Sequence, residues 1–135
     1  MIFDNLVLLI VNIIHLLVII FCVVVPFTNN TFLLSMHAII IPFLMLHWFL
    51  NNDTCAITLA EKFIRIKLNG GSQVVKDDDC FSYKIIGPIY NFINTNADYD
   101  KFLYITSTIL WCITMFKLYG QYKSGELQKH FKPVF

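Results

Sequence analysis

Two groups of residues in this chain have the types and spacing for chemistry. The first is His15, Cys22, His37 and His47, all in or at the edge of long uncharged stretches. Imidazole and thiolate are the common ligands of haem iron and of transition metals, so a haem or metal site is one reading of them. The other is packing, in which each imidazole bonds a neighbouring carbonyl or hydroxyl. The second group lies in residues 46–63, LHWFLNNDTCAITLAEKF, which offers His47, Asp53, Cys55, Thr58 and Glu61. A nucleophilic set of Cys55, His47 and Asp53 can be drawn there, but no signature of a known cysteine enzyme surrounds it. Thr58-Leu59-Ala60-Glu61 has the form of a capping box, in which the Thr hydroxyl and the Glu carboxylate each take a backbone N–H of the helix start. Asp53, placed ahead, suits the positive end of that helix. Trp48 and His47 then fall at headgroup depth, where amphipathic rings are favoured. The residues therefore assign no catalytic group, no metal and no cofactor. Trp48, Asp53, Cys55, Thr58 and Glu61 read as a structural motif, and His15, His37, His47 and Cys22 remain the candidate ligands.

The elements that must position these residues are written in the hydropathy. Of 135 residues, 57% are hydrophobic and only 14% charged, against about 25% charged in an average soluble domain. Residues 6–27 carry no charge and can cross a hydrocarbon core of about 30 Å. Thr28-Asn29-Asn30 is a minimal turn, and residues 31–50 form a second uncharged span. Pro42 should kink that span, which neighbouring helices tolerate in a membrane. So short a turn makes the pair an antiparallel hairpin. Partners across it have numbers summing to about 59, so Cys22 and His37 share one depth, and His15 and His47 lie within about one turn of each other. The first span lacks a basic leader and a small-residue cleavage site and reads as retained.

Residues 58–68 mix Leu59, Phe63 and Ile66 with Glu61, Lys62, Arg65 and Lys67, which suits an amphipathic helix at the membrane interface. Asn69-Gly70-Gly71 stops it. Residues 81–94 form a short third apolar segment broken by Gly87-Pro88, and residues 102–119 a last span, followed by a polar, basic tail over 120–135. Counted as four segments, nine cations share one side with both termini and only Lys101 is on the other. Counted as three, the split is six to four. The positive-inside rule prefers four segments with both termini cytoplasmic. The expectation is a single all-α integral membrane domain.

Four cysteines without a CxxC signal neither a redox pair nor a zinc ribbon. Cys55 and Cys80 fall on the cytoplasmic side, where thiols stay reduced, and Cys22 and Cys112 read as small packing groups. No Gly-rich phosphate loop, paired-carboxylate site or basic–aromatic nucleic-acid surface is present. Nine lysines to one arginine, with abundant Ile, Asn and Phe, is the composition of an AT-rich genome.

The pattern resembles a family of small polytopic bacterial membrane proteins, with similar proteins in large DNA viruses. The resemblance rests on a His in each of the first two spans (His15, His37), then Trp48, Cys55, Ile57, Thr58 and Glu61, and on the short proline-bearing segment Ile85-Ile86-Gly87-Pro88-Ile89-Tyr90. Ala56 stands where that family usually has proline. The resemblance implies a fold and a topology over residues 6–119 and no activity. The reading that follows is a structural or assembly protein of a membrane, such as a virion membrane protein that links bilayer to capsid. Its partners are then the bilayer, a capsid or membrane assembly met through the middle loop and basic tail, and further copies of itself. The alternative is a small redox or haem protein using His15, His37 and Cys22.

Overall fold

In the computed structural model, residues 2–71, 74–93 and 98–131 are described, and among them the chain is all-helical. The helices are α1 (Ile2–Val24), α2 (Thr31–Leu50), α3 (Ala56–Leu68), α4 (Phe81–Ile93), α5 (Tyr99–Lys123) and α6 (Glu126–Phe131). A 3₁₀ turn, Val25–Phe27, prolongs α1, and another, Asp77–Asp79, precedes α4. Three helical stretches are long and apolar enough to cross a membrane: Ile2–Phe27, Thr31–Leu50 and Tyr99–Lys123. The chain is thus an all-α protein consistent with a multi-pass membrane protein.

Several boundaries differ from the sequence reading. The last span begins at Tyr99 and runs to Lys123, so part of the expected tail is helix, and α6 takes up more of it. Lys132 to Phe135, and Asn94 at the end of the short third segment, lie outside the described residues. That segment is an unbroken helix of 13 residues through Gly87-Pro88. At about 1.5 Å per residue it falls well short of about 30 Å.

Burial is inverted relative to a water-soluble fold. Among the described residues of α1, His15 alone is buried, while Leu9, Ile13, Leu17 and Ile20 are exposed. His37, Thr58, Glu61 and Thr114 are buried too, with a small apolar complement of Val25, Leu34, Ile41 and Cys80. An apolar exterior around a polar interior is what a hydrocarbon solvent selects, because backbone and side-chain polar groups must then be satisfied within the protein.

The chain divides into two compact units. One holds Met1–Ile19 with His47–Phe102, the other Ile20–Leu46 with Leu103–Phe135. In the second unit Asn30 caps α2, its side-chain oxygen accepting the N–H of Leu33. Position along α5 then tracks α2 in reverse: Trp111 bonds Ala38, Thr114 bonds His37, and Lys117 reaches Thr28 and Asn29 in the turn before α2. The two helices are antiparallel there.

Candidate functional site

Among the described residues each unit has a buried polar cluster. In the second unit it is centred on His37, fully buried. Its Nε2 lies 3.1 Å from the carbonyl of Cys22 and its Nδ1 2.9 Å from the hydroxyl of Thr114. A carbonyl only accepts, so Nε2 carries the proton and Nδ1 is left as an acceptor for the Thr114 O–H. The 3.2 Å approach of that hydroxyl to the carbonyl of Leu110 is then its weaker alternative. The ring of Phe21 lies against His37 at 5.7 Å between centroids. Cys22 and His37 do meet as the hairpin arithmetic requires, through the cysteine's backbone and not its thiol. With both ring nitrogens engaged, His37 ties α1, α2 and α5 and offers no free lone pair.

One turn along α5, Trp111 donates its indole N–H to the carbonyl of Ala38 at 2.9 Å. Pro42, inside α2, has no N–H to give the carbonyl four residues back, which is that of Ala38. Trp111 supplies the missing donor. Pro42 is legible in the sequence, whereas Trp111 and Thr114 do not stand out from Tyr104, Thr106, Ser107 and Thr108 in the same span; the available signal is their spacing of three, which puts both on one face of the helix.

In the first unit Glu61, His15 and Cys80 form the cluster, His15 and Cys80 both feeling the Glu61 charge, and Thr58, one turn before Glu61 on α3, is buried too. Here the capping-box expectation is corrected. α3 starts at Ala56 with Cys55 in the N-cap position and no side-chain cap. Thr58 and Glu61 therefore lie inside the helix, and Glu61 faces away from its start. Both carboxylate oxygens accept the backbone N–H of Phe81, at 2.9 and 3.1 Å. That N–H opens α4, so Glu61 caps the next helix and sets a negative charge on its positive end. Arg65, one turn on, donates Nε–H and Nη2–H to the same Glu61 oxygen at 2.9 and 2.8 Å. Buried carboxylates persist only when paired and hydrogen-bonded in this way.

His15 is 4% exposed, with its Nδ1 buried and without a partner. The ring of Phe81 lies 6.5 Å away. Cys80 precedes α4 and its thiol donates weakly to the carbonyl of Lys76 at 3.6 Å. Burial first, then the charge of Glu61, pushes that thiol up to about 11, outweighing the opposing pull of Lys62 and Arg65.

His47 is engaged locally, at the junction of α2 and α3. Its Nε2 accepts the N–H of Ala56 at 3.2 Å, the first N–H of α3, while Asn51 packs on the same ring and donates to the His47 carbonyl. The imidazole is a cap supplied from the end of α2. Asn52 and Asp53 make the turn between, both with positive φ, 51° and 60°, a conformation Asn and Asp tolerate best among residues with a Cβ. With its Nε2 accepting the Ala56 N–H, the His47 imidazole acts here as a helix cap rather than as a base for the Cys55 thiol. Trp48 contributes its carbonyl to the N–H groups of Asn51 and Asp53. Among the described residues no three His, Cys, Asp or Glu side chains converge as a metal site. No protein-family model, curated protein or solved structure is similar to the chain.

Proposed function

We propose that this chain is a structural membrane protein whose buried polar groups hold helices together, and that it serves as a membrane anchor within a larger assembly. The observation that carries the reading is His37: both ring nitrogens are committed to helix–helix hydrogen bonds. The redox alternative needs axial or metal ligands with free lone pairs, and His37, one of its three residues, has both ring nitrogens engaged. The setting suggested by the composition is the membrane of a large DNA virus, with the loop between α2 and α5 and the tail beyond α5 meeting coat or membrane partners.

The topology that fits best has three crossings, with α3 at the interface and α4 as a short inserted helix that does not cross. Four crossings would place the end of α5 opposite the α1–α2 turn. Lys117 instead donates to the carbonyl of Thr28 at 2.9 Å, and Gln121 to that of Asn29 at 3.2 Å. The end of α5 then lies on the side of that turn, and the start of α1 on the other. Positive charge favours the side carrying Lys62, Arg65, Lys67, Lys76, Lys84 and Lys101 as cytoplasmic.

Mild detergent extraction tests the function, with mass spectrometry of co-purifying proteins and an absorbance spectrum of the same sample. Stoichiometric partners and a colourless protein are expected. A Soret band at about one haem per chain would sink the structural reading. Reporter fusions at the two chain ends test the topology: they report opposite sides for three crossings and one side for four.

A further inference from the structure

The first unit contains a hollow of about 250 Å³ where the end of α3 meets the chain entering α4. It is lined by Arg65, Asn69, Val74, Val75, Asp79 and Lys84. The lining has two cations, one carboxylate, one amide and two apolar side chains. A purely anionic ligand would meet Asp79 unfavourably, and a purely cationic one Arg65 and Lys84. The chemistry that satisfies all of them is a zwitterion with a phosphate at one end and an ammonium at the other.

Arg65 spends its Nε and Nη2 edge on Glu61. Its Nη1 edge lies outside that pair and keeps donors for a phosphate, which a guanidinium recognises by its planar fork. The neighbouring cations are already placed: Lys62 pairs with Asp77, and Lys67 with Asp4. Lys84, exposed on the first turn of α4, and Asp79, exposed two residues before that helix, are the groups of opposite sign within the hollow. On α3 itself Leu59 and Phe63 are 43% and 72% exposed, an apolar face that would lie in acyl chains and bring the hollow to headgroup level.

We infer that this hollow seats the headgroup of a membrane phospholipid of the phosphoethanolamine type, with phosphate between Arg65 and Lys84, ammonium at Asp79, and the glycerol end over Val74 and Val75. The inference rests on the interfacial placement of α3 proposed above. Its volume is slightly below the usual range for whole drug-sized ligands, as suits a headgroup whose chains remain in the bilayer.

The test is native mass spectrometry of the full chain in detergent, titrated with phosphatidylethanolamine, phosphatidylcholine and phosphatidylglycerol of identical acyl chains. One phosphatidylethanolamine per chain should be retained in preference to both others. Lys84→Gln should weaken that retention about tenfold, the size of one lost charge-assisted hydrogen bond. Asp79→Asn should abolish the preference over phosphatidylglycerol. Both positions are exposed, and unchanged helical circular dichroism controls for folding. Equal retention of the three lipids, or variants that behave like the parent, would overturn the proposal. So would displacement of bound lipid by an equal concentration of soluble O-phosphoethanolamine, which would make the free headgroup the ligand. Failure of the membrane reading shows separately, as release of the chain from membranes by alkaline carbonate.

Discussion

Trp111 and Pro42 complete one hydrogen-bonding account between them: the proline leaves the carbonyl of Ala38 without its helical donor, and the indole N–H of Trp111 replaces it at 2.9 Å. In hydrocarbon an unsatisfied carbonyl costs several kcal/mol, so a proline within a span calls for a partner from a neighbouring helix. Trp111→Phe should therefore destabilise the chain by about 1–2 kcal/mol in detergent unfolding. In a Pro42→Ala background the backbone supplies its own donor, and the same substitution should cost measurably less. An equal cost in both backgrounds would show that the indole contact is incidental to the proline.

Glu61 is the corresponding piece of the first unit. It satisfies the N–H of Phe81 and neutralises Arg65 at a site with no exposed surface of its own. Removing it leaves the N–H of Phe81 uncapped and strands Arg65, whose side chain is 25% exposed, so the cost falls at the low end of the buried-pair range, about 3 kcal/mol. Glu61→Ala should cost that much and accelerate amide exchange in the first turn of α4. Adding Arg65→Leu should recover part of the loss, since the stranded cation goes with it. Two losses that simply add would mean that the pair is not coupled.

The legible parts of this molecule were those with local or periodic causes. Uncharged runs of helix length exposed α1, α2 and α5, and the three-residue turn Thr28-Asn29-Asn30 implied that Cys22 and His37 share a depth. What the sequence hid was the destination of side chains. Thr58 and Glu61 fit a capping box by spacing, yet the carboxylate goes to a backbone N–H twenty residues away. Local patterns record which groups need partners, and tertiary packing chooses among the candidates. A charge count likewise weighs lysines by sequence position alone and does not say where a lysine side chain goes, which for Lys117 is the carbonyl of Thr28.

The His37 cluster predicts a specific coupling. Thr114→Val keeps shape and removes the O–H that His37 Nδ1 accepts. Interhelical hydrogen bonds in membrane proteins average about 0.6 kcal/mol in double-mutant cycles, with a maximum near 1.7. A cycle of Thr114→Val with His37→Phe should fall in that range. A coupling of zero would mean that His37 holds its place by the Cys22 carbonyl and ring packing alone.

Cys80 gives a pH signature outside the spans. Burial, reinforced by the charges of Glu61 and Asp77 and only partly opposed by Lys62 and Arg65, holds its thiol near 11, against 9.0 for the ordinary group. Below about pH 9 the thiol is neutral whether the chain is folded or not, and its titration adds no pH dependence. Between about 9 and 11 the unfolded chain loses this proton while the folded chain keeps it, so stability falls as pH rises. The loss is on the order of 2 kcal/mol across that window. Lysines and tyrosines titrate there too, so the quantity to measure is the difference between the parent chain and Cys80→Ala, which should lack this share of the slope. Alkylation gives an independent reading. At pH 8 only about a thousandth of a thiol with a pKa near 11 is thiolate, so folded Cys80 should react far more slowly than half-buried Cys55, at a rate rising about tenfold per pH unit. Rapid labelling of Cys80 at neutral pH in the folded protein would mean that α4 leaves Glu61 readily, and that the cap at Phe81 does not hold the helix in place.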